Sequence, residues 1–151
     1  MPAIASRLLL GACLLVIAGP ASAQTPAAAP APAAATAPPL PGPLDCSFDK
    51  AFLCEPAKGC ATVNTLGELP LPGRMLVHFE KQIIASTAKD GMPHVSGITS
   101  VASAGDSLVL QGVDGTIGWV IQTLHKGPAA SFTAVDHDSV LTAFGTCKPA
   151  E

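Results

Sequence analysis

Ser107-Leu108-Val109-Leu110-Gln111-Gly112-Val113-Asp114-Gly115-Thr116-Ile117-Gly118-Trp119-Val120-Ile121-Gln122 is the stretch that decides the fold. Two runs of alternating apolar residues flank Asp114-Gly115, a dipeptide suited to a two-residue type I′ hairpin turn. With that loop, Val113 faces Thr116, Leu110 faces Trp119 and Leu108 faces Ile121. Leu108, Leu110, Trp119 and Ile121 then share one face, as the core side of an antiparallel pair requires. Gly112 falls opposite Ile117, where a missing side chain makes room.

Working outward, the same alternation recurs with turn residues every eight to twelve positions. Met75, Val77 and Phe79 alternate with Arg74, Leu76 and His78, and Gln82 to Thr87 returns from a turn at Glu80-Lys81. Val95 to Ala102 precedes the turn Ser103-Ala104-Gly105-Asp106. Ala130, Phe132 and Ala134 form another strand, and Val140 to Phe144 runs into Gly145-Thr146-Cys147. Together with Phe48 to Leu53 and Ala61 to Val63, this predicts an all-β domain. Its expected form is an antiparallel meander of about eight short strands, closed as a small barrel or folded as a sandwich. No capped run of period 3.6 competes with that reading. One segment is inconsistent: Phe48, Phe52 and Cys54 share a face, yet opposite them Thr62 and Asn64 would point inward while Ala61 and Val63 point out. A β-bulge would reconcile the two sides, and the sequence does not place one.

The domain is expected to span residues 45–151. Before it, residues 1–23 read as a secretory signal: Arg7 is the basic region, Leu8 to Ala18 the apolar region, and Ala21-Ser22-Ala23 the cleavage pattern. Leu10-Gly11-Ala12-Cys13 resembles a lipobox, but cleavage there would shorten the apolar region to a few residues, so acylation at Cys13 fits poorly. In residues 24–44, 15 of 21 are Ala or Pro, which leaves no side chains to build a core and predicts a disordered, extended linker.

Four cysteines remain after the signal: Cys46, Cys54, Cys60 and Cys147. An even number in an exported chain points to two disulfides, and the spacing lacks the short paired knuckles of a zinc site or the C-x-x-C of a redox pair. A strand from Cys46 to Cys54 would hold them about 26 Å apart at roughly 3.3 Å per residue, too far for a bridge. Pro56 and Gly59 turn the chain so that Cys54 meets Cys60, which leaves Cys46 for Cys147. Chain-entropy arguments give roughly 2.4 kcal/mol for the short loop and about 4.7 kcal/mol for the long one. "CEPAKGC" (54–60) is thus read as a stapled hairpin.

The pieces "LVHFEKQIIAST" (76–87), "DSLVLQGVDGTIGW" (106–119) and the closing "FGTC" (144–147) carry a resemblance. Arg74 to Cys147 resembles a family of small exported proteobacterial proteins with a disulfide-linked β-domain ending in FGxC. The resemblance implies a signal peptide, export and that architecture; it implies no particular activity, and the residues before Arg74 match it less.

The formal charge of −3 becomes −4 once Arg7 is removed. A mildly acidic chain with five Phe, one Trp and no Tyr argues against nucleic acid, which asks for a basic stripe and stacking aromatics. Asp136-His137-Asp138 is the densest polar group: it has the residue types for a divalent cation or for acid–base work, and equally those of an ordinary turn. His78 and His94 are isolated ligand candidates. Trp119 could line an apolar cavity, although its expected contact with Leu110 makes it a core residue. No Gly-x-Ser-x-Gly elbow or phosphate loop is present, the oxidised cysteines offer no nucleophile, and no cofactor is implied. The leading expectation is a non-enzymatic exported envelope domain that binds a protein partner or serves a structural role. A periplasmic hydrolase using Asp136 and Asp138 is the alternative, followed by a carrier of a small apolar ligand, for which an eight-stranded barrel leaves little lumen.

Overall fold

The computed structural model describes residues 39–87 and 90–151. The signal segment, Cys13 and linker residues 24–38 lie outside the described residues. Eleven strands run in chain order: β1 (Leu44–Glu55), β2 (Gly59–Val63), β3 (Thr65–Leu66), β4 (Leu69–Pro70), β5 (Gly73–His78), β6 (Ile83–Thr87), β7 (Pro93–Ala104), β8 (Ser107–Asp114), β9 (Ile117–Leu124), β10 (Ala129–Val135) and β11 (Val140–Pro149). Strands β5 to β11 form an antiparallel meander, and β1 pairs with β5 on one side and β11 on the other. The eight strands β1 and β5–β11 therefore close a barrel. Barrel, not sandwich, is the outcome of the alternatives left open by the sequence.

Alternation fills the lumen. Cys46, Phe48, Ala51, Val77, Leu110, Ile121 and Ala143 are each 0 % exposed, and Phe48 and Phe132 stack tilted with ring centroids 5.9 Å apart. Both expected disulfides are present: Cys46–Cys147 and Cys54–Cys60. Each joins residues directly opposite one another in an antiparallel ladder, Cys46 to Cys147 inside the barrel and Cys54 to Cys60 across the β1–β2 hairpin. Pro56 sits at the second position of the turn closed by the Lys58 N–H to the Glu55 carbonyl at 3.2 Å, and Gly59 follows at φ +75°.

The inconsistency in the first strand resolves at Asp49. Phe48 pairs with Gly145 and Lys50 with Phe144, so Asp49 is an extra residue, a bulge that reverses the strand's faces. Cys46 and Phe48 point inward before it. After it Ala51 and Leu53 are the inner residues, opposite Val63 and Ala61, while Phe52 and Cys54 turn outward. Gly145 stands against this bulge; a Cβ there would lie 2.0 Å from the Ser47 carbonyl oxygen and 2.6 Å from the Phe48 Cα.

The β8–β9 hairpin forms with the expected faces and a register displaced by two residues. Gly112 pairs with Trp119, Leu110 with Ile121 and Leu108 with Thr123, and the loop is Gly115-Thr116 rather than Asp114-Gly115. Gly115 is at φ +59° while Thr116 is not in the left-handed region, the glycine placement of a type II′ turn. The displacement has a packing reason: the Trp119 ring lies over Gly112, where a Cβ would be 2.3 Å from the ring and 2.2 Å from the Gly97 carbonyl oxygen. Facing Leu110 instead, the indole would have had no vacancy to occupy. A second bulge, at Thr99 in β7, again reverses faces, so that Ser96 and Ile98 precede it inside and Val101 and Ser103 follow opposite Leu110 and Leu108.

The β3–β4 hairpin was not anticipated. Its turn is Gly67-Glu68, with Gly67 at φ +61°, and it folds Leu66 and Leu69 inward over Gly73. Among the described residues no helix is long and apolar enough to cross a membrane.

Gly145→Ala should lower stability by about 1–3 kcal/mol, because the added methyl meets backbone rather than a movable side chain. A urea-denaturation midpoint equal to wild type would contradict the close approach at the bulge.

Candidate functional site

Because connections alternate between barrel ends, the β1–β2, β6–β7, β8–β9 and β10–β11 turns gather at one end together with the β3–β4 hairpin. The buried Cys46–Cys147 bridge joins the opposite stretches of β1 and β11. At the first end the lumen opens into a cavity of about 410 Å³, within the range of ordinary ligand pockets. Met75, Ile84, Trp119, Phe132 and Leu141 wall it, and Leu66 and Leu69 of the hairpin cap it.

Its polar groups are few and placed. The Trp119 indole N–H donates to Ser96 Oγ at 2.9 Å, and both residues are buried. This bond fixes the indole plane that forms one wall. His94 Nε2 and Asp114 Oδ2 bond across β7 and β8 at the rim. Glu68, at the tip of the hairpin, also lines the cavity and has no ion-pair or hydrogen-bond partner among the described residues. At this end of the barrel Met92, Val113, Ile117 and Val135 are exposed, and Ile117 lines the cavity. On the outer wall, Val113, Val120 and Val135 flank a shallow depression of about 340 Å³ left by the side-chain-less Gly118, and Trp119 borders this depression as well as the cavity. A wider depression of about 670 Å³ on the β5–β6 side holds Asp45 and Arg74, which are already ion-paired to each other at 2.5 Å. The barrel mouth is the better site: apolar walls, a single open side and convergent polar groups.

Trp119 is thus both core and cavity wall, which joins the two roles weighed for it. Asp136, His137 and Asp138 occupy the exposed β10–β11 turn and line none of the three cavities. Asp136 accepts from the His137 backbone N–H at 2.8 Å and contacts His137 Nδ1 at 2.9 Å, while its own N–H donates to the Ser139 carbonyl at 3.0 Å. The His137 side chain first, then its backbone N–H, holds the Asp136 carboxyl below the usual value of 3.8. This is turn chemistry; the hydrolase reading gains no geometric support from it. His78 and His94 are not brought together: His78 Nδ1 accepts from the Lys81 N–H at 3.4 Å on the β5–β6 turn, at the other end of the barrel. No group of three or more His, Cys, Asp or Glu poised for a metal occurs among the described residues.

The sequence reading missed three elements. Ser96 and the β3–β4 hairpin shape the mouth; Leu66-Gly67-Glu68-Leu69 was a readable hairpin signal, a glycine-first loop between two leucines. Ser103 Oγ and His125 Nε2 lie 2.8 Å apart, partly buried, toward the far end. Neither lines any of the three cavities; the pair ties β7 to the β9–β10 turn, and the bond from the His125 N–H to the Asp106 carbonyl at 2.8 Å ties the β7–β8 turn to it as well.

No family model, curated protein or solved structure matches the chain.

Ser96→Ala should strand a buried indole N–H and cost about 1–3 kcal/mol, with a changed Trp119 emission spectrum in the folded state; unchanged stability and emission would refute the role given to this bond. For Asp136 the folded carboxyl titrates below its unfolded value, so its contribution is present above about pH 3.8 and is lost as pH falls through the depressed value. Side-chain carboxyl NMR should find an acid-shifted midpoint for Asp136 that moves back up in His137→Ala.

Proposed function

We propose that the chain is an exported, non-enzymatic β-barrel domain that binds a protein partner over the open end of the barrel, the partner seating an apolar side chain in the mouth. The observation that carries this reading is an apolar cavity with exposed Ile117 on its lining, exposed Met92 at the same end of the barrel, and exposed Val113 and Val135 on the adjoining outer wall. Protein interfaces concentrate their energy in such a place, a pocket that takes an aromatic or aliphatic anchor within a surrounding patch that excludes water. Two disulfides suit an oxidising compartment, periplasmic or extracellular. Export by residues 1–23, presentation on the Ala/Pro-rich linker and membership of the proteobacterial family with FGxC-ending domains complete the proposal. A small apolar ligand carried in the mouth is the second reading, favoured by the cavity's volume and its enclosure beneath Leu66 and Leu69.

The test is a pull-down from envelope extract with the mature chain and with Val113→Ser/Ile117→Ser. A stoichiometric partner retained by wild type and lost by the variant is the expected result. A partner retained equally by both would place binding elsewhere. Native mass spectrometry of exported protein showing a bound small molecule, with no protein recovered, would favour the carrier.

A further inference from the structure

The charge of the domain is not spread over it. Of eleven side-chain carboxylates, six stand at the mouth end: Glu55, Glu68, Asp90, Asp114, Asp136 and Asp138. Against them at that end the described residues place one basic side chain, Lys58, held by Glu55 at 3.0 Å. The other five carboxylates are matched by five basic residues over the rest of the domain. Among the described residues the whole excess of carboxylates, six against one lysine, therefore lies at the mouth end of the barrel, with Glu68 and Asp114 lining the cavity itself. Three of the six face further constraints: Asp114 is bonded by His94, Asp136 by His137, and Asp90 accepts from the Met92 N–H at 2.9 Å. Glu68, on the cavity's own lip, and Asp138 have no partner among the described residues.

We infer that the partner is basic: a polypeptide segment that places one apolar side chain in the barrel mouth and flanks it with lysine or arginine. The inference rests on the binding reading above and adds the chemistry of what is bound. Apolar walls specify the anchor; carboxylates on the surrounding turns specify the sign of its neighbours. A field of one sign around a low-dielectric opening attracts oppositely charged partners and repels like ones, so phosphate-bearing surfaces, whether anionic lipid or nucleic acid, are disfavoured at this end. The exposed valines beside the mouth extend the apolar footprint beyond the cavity, along the outer faces of β8, β9 and β10, which suits a segment of chain better than a small amine confined to the lumen. Glu68 sits at the tip of the hairpin that caps the cavity, so a cation bound there would meet the same element whose leucines contact the anchor.

The experiment is selection of random ten-residue peptides lacking tryptophan on the immobilised mature chain at low salt, followed by titration of synthesised winners. Trp119, the single tryptophan of the protein, reports occupancy of the mouth through its emission. Winners should carry Lys or Arg beside Leu, Ile, Phe or Met, shift Trp119 emission, weaken as salt is raised, and bind Glu68→Gln/Asp138→Asn about three- to tenfold less tightly. Both substitutions are on exposed turns, and thermal melts confirm that the variant is folded. Winners that shift Trp119 without basic enrichment, or that ignore the double variant, would overturn the basic partner and leave the binding reading intact. Winners that leave Trp119 unchanged and tolerate Val113→Ser/Ile117→Ser would sink both. Octylamine shifting Trp119 where no peptide does would replace the peptide with a small amphipathic amine.

Discussion

The rest of the structure depends on the pairing of β1 with β11. These two strands, from opposite ends of the domain, run antiparallel from Leu44–Pro149 to Cys54–Val140, and Cys46 lies opposite Cys147 within that ladder. Without this contact β1 and β5–β11 would be an open sheet with one apolar face and unpaired edges at β1 and β11. Closure buries that face inside and gives both edges a partner. The covalent bridge is placed where it constrains the longest loop available to the four cysteines, a separation of 101 residues, so it restricts the unfolded chain most.

Closure also creates the site. β1 is long enough to have two neighbours on one edge: β5 covers Leu44 to Phe48, and β2 covers Ala51 to Glu55. The change of neighbour falls at the Asp49 bulge. Beyond it β5 no longer walls the barrel, and β2, paired only to β1 within the sheet, does not continue the circle. The β3–β4 hairpin covers this break by laying Leu66 and Leu69 over Gly73, and the space that remains beneath it is the cavity. The mouth is thus a consequence of how one strand is shared, and its walls come from seven strands and a cap.

The walls of that mouth are mainly apolar. The buried hydrogen bond between Trp119 and Ser96 and the rim contact between His94 and Asp114 hold the walls in place, and Ser86 and Glu68 are the other polar side chains in an otherwise apolar lining. Asp136 and Asp138, the residues whose type first suggested acid–base work, belong to the β10–β11 turn, where Asp136 is engaged by local hydrogen bonds to His137 and Ser139 and Asp138 is exposed. The same turn contributes its charge to the mouth end of the barrel.

Much was fixed locally, and local rules recovered it. Period-two alternation assigned Leu108, Leu110, Trp119 and Ile121 to one face, because side-chain direction in a strand needs no distant partner. Pro56 and Gly59 brought Cys54 to Cys60 for the same reason, and elimination then gave Cys46 its partner. The register of β8 on β9 was decided elsewhere. A shift of two residues preserves every face, so alternation is blind to it; the vacancy at Gly112 beside the Gly97 carbonyl, on a third strand, selected the pairing that seats the Trp119 ring. The bulge at Asp49 was demanded by the sequence as an inconsistency and located only by β11, where Gly145 lets the displaced backbone approach. The cavity was invisible along the chain because its residues are scattered from Leu66 to Leu141 and meet only when the sheet curls shut. Sequence by itself determined which side chains face inward and which cysteines join; tertiary closure alone decided what those inward faces enclose.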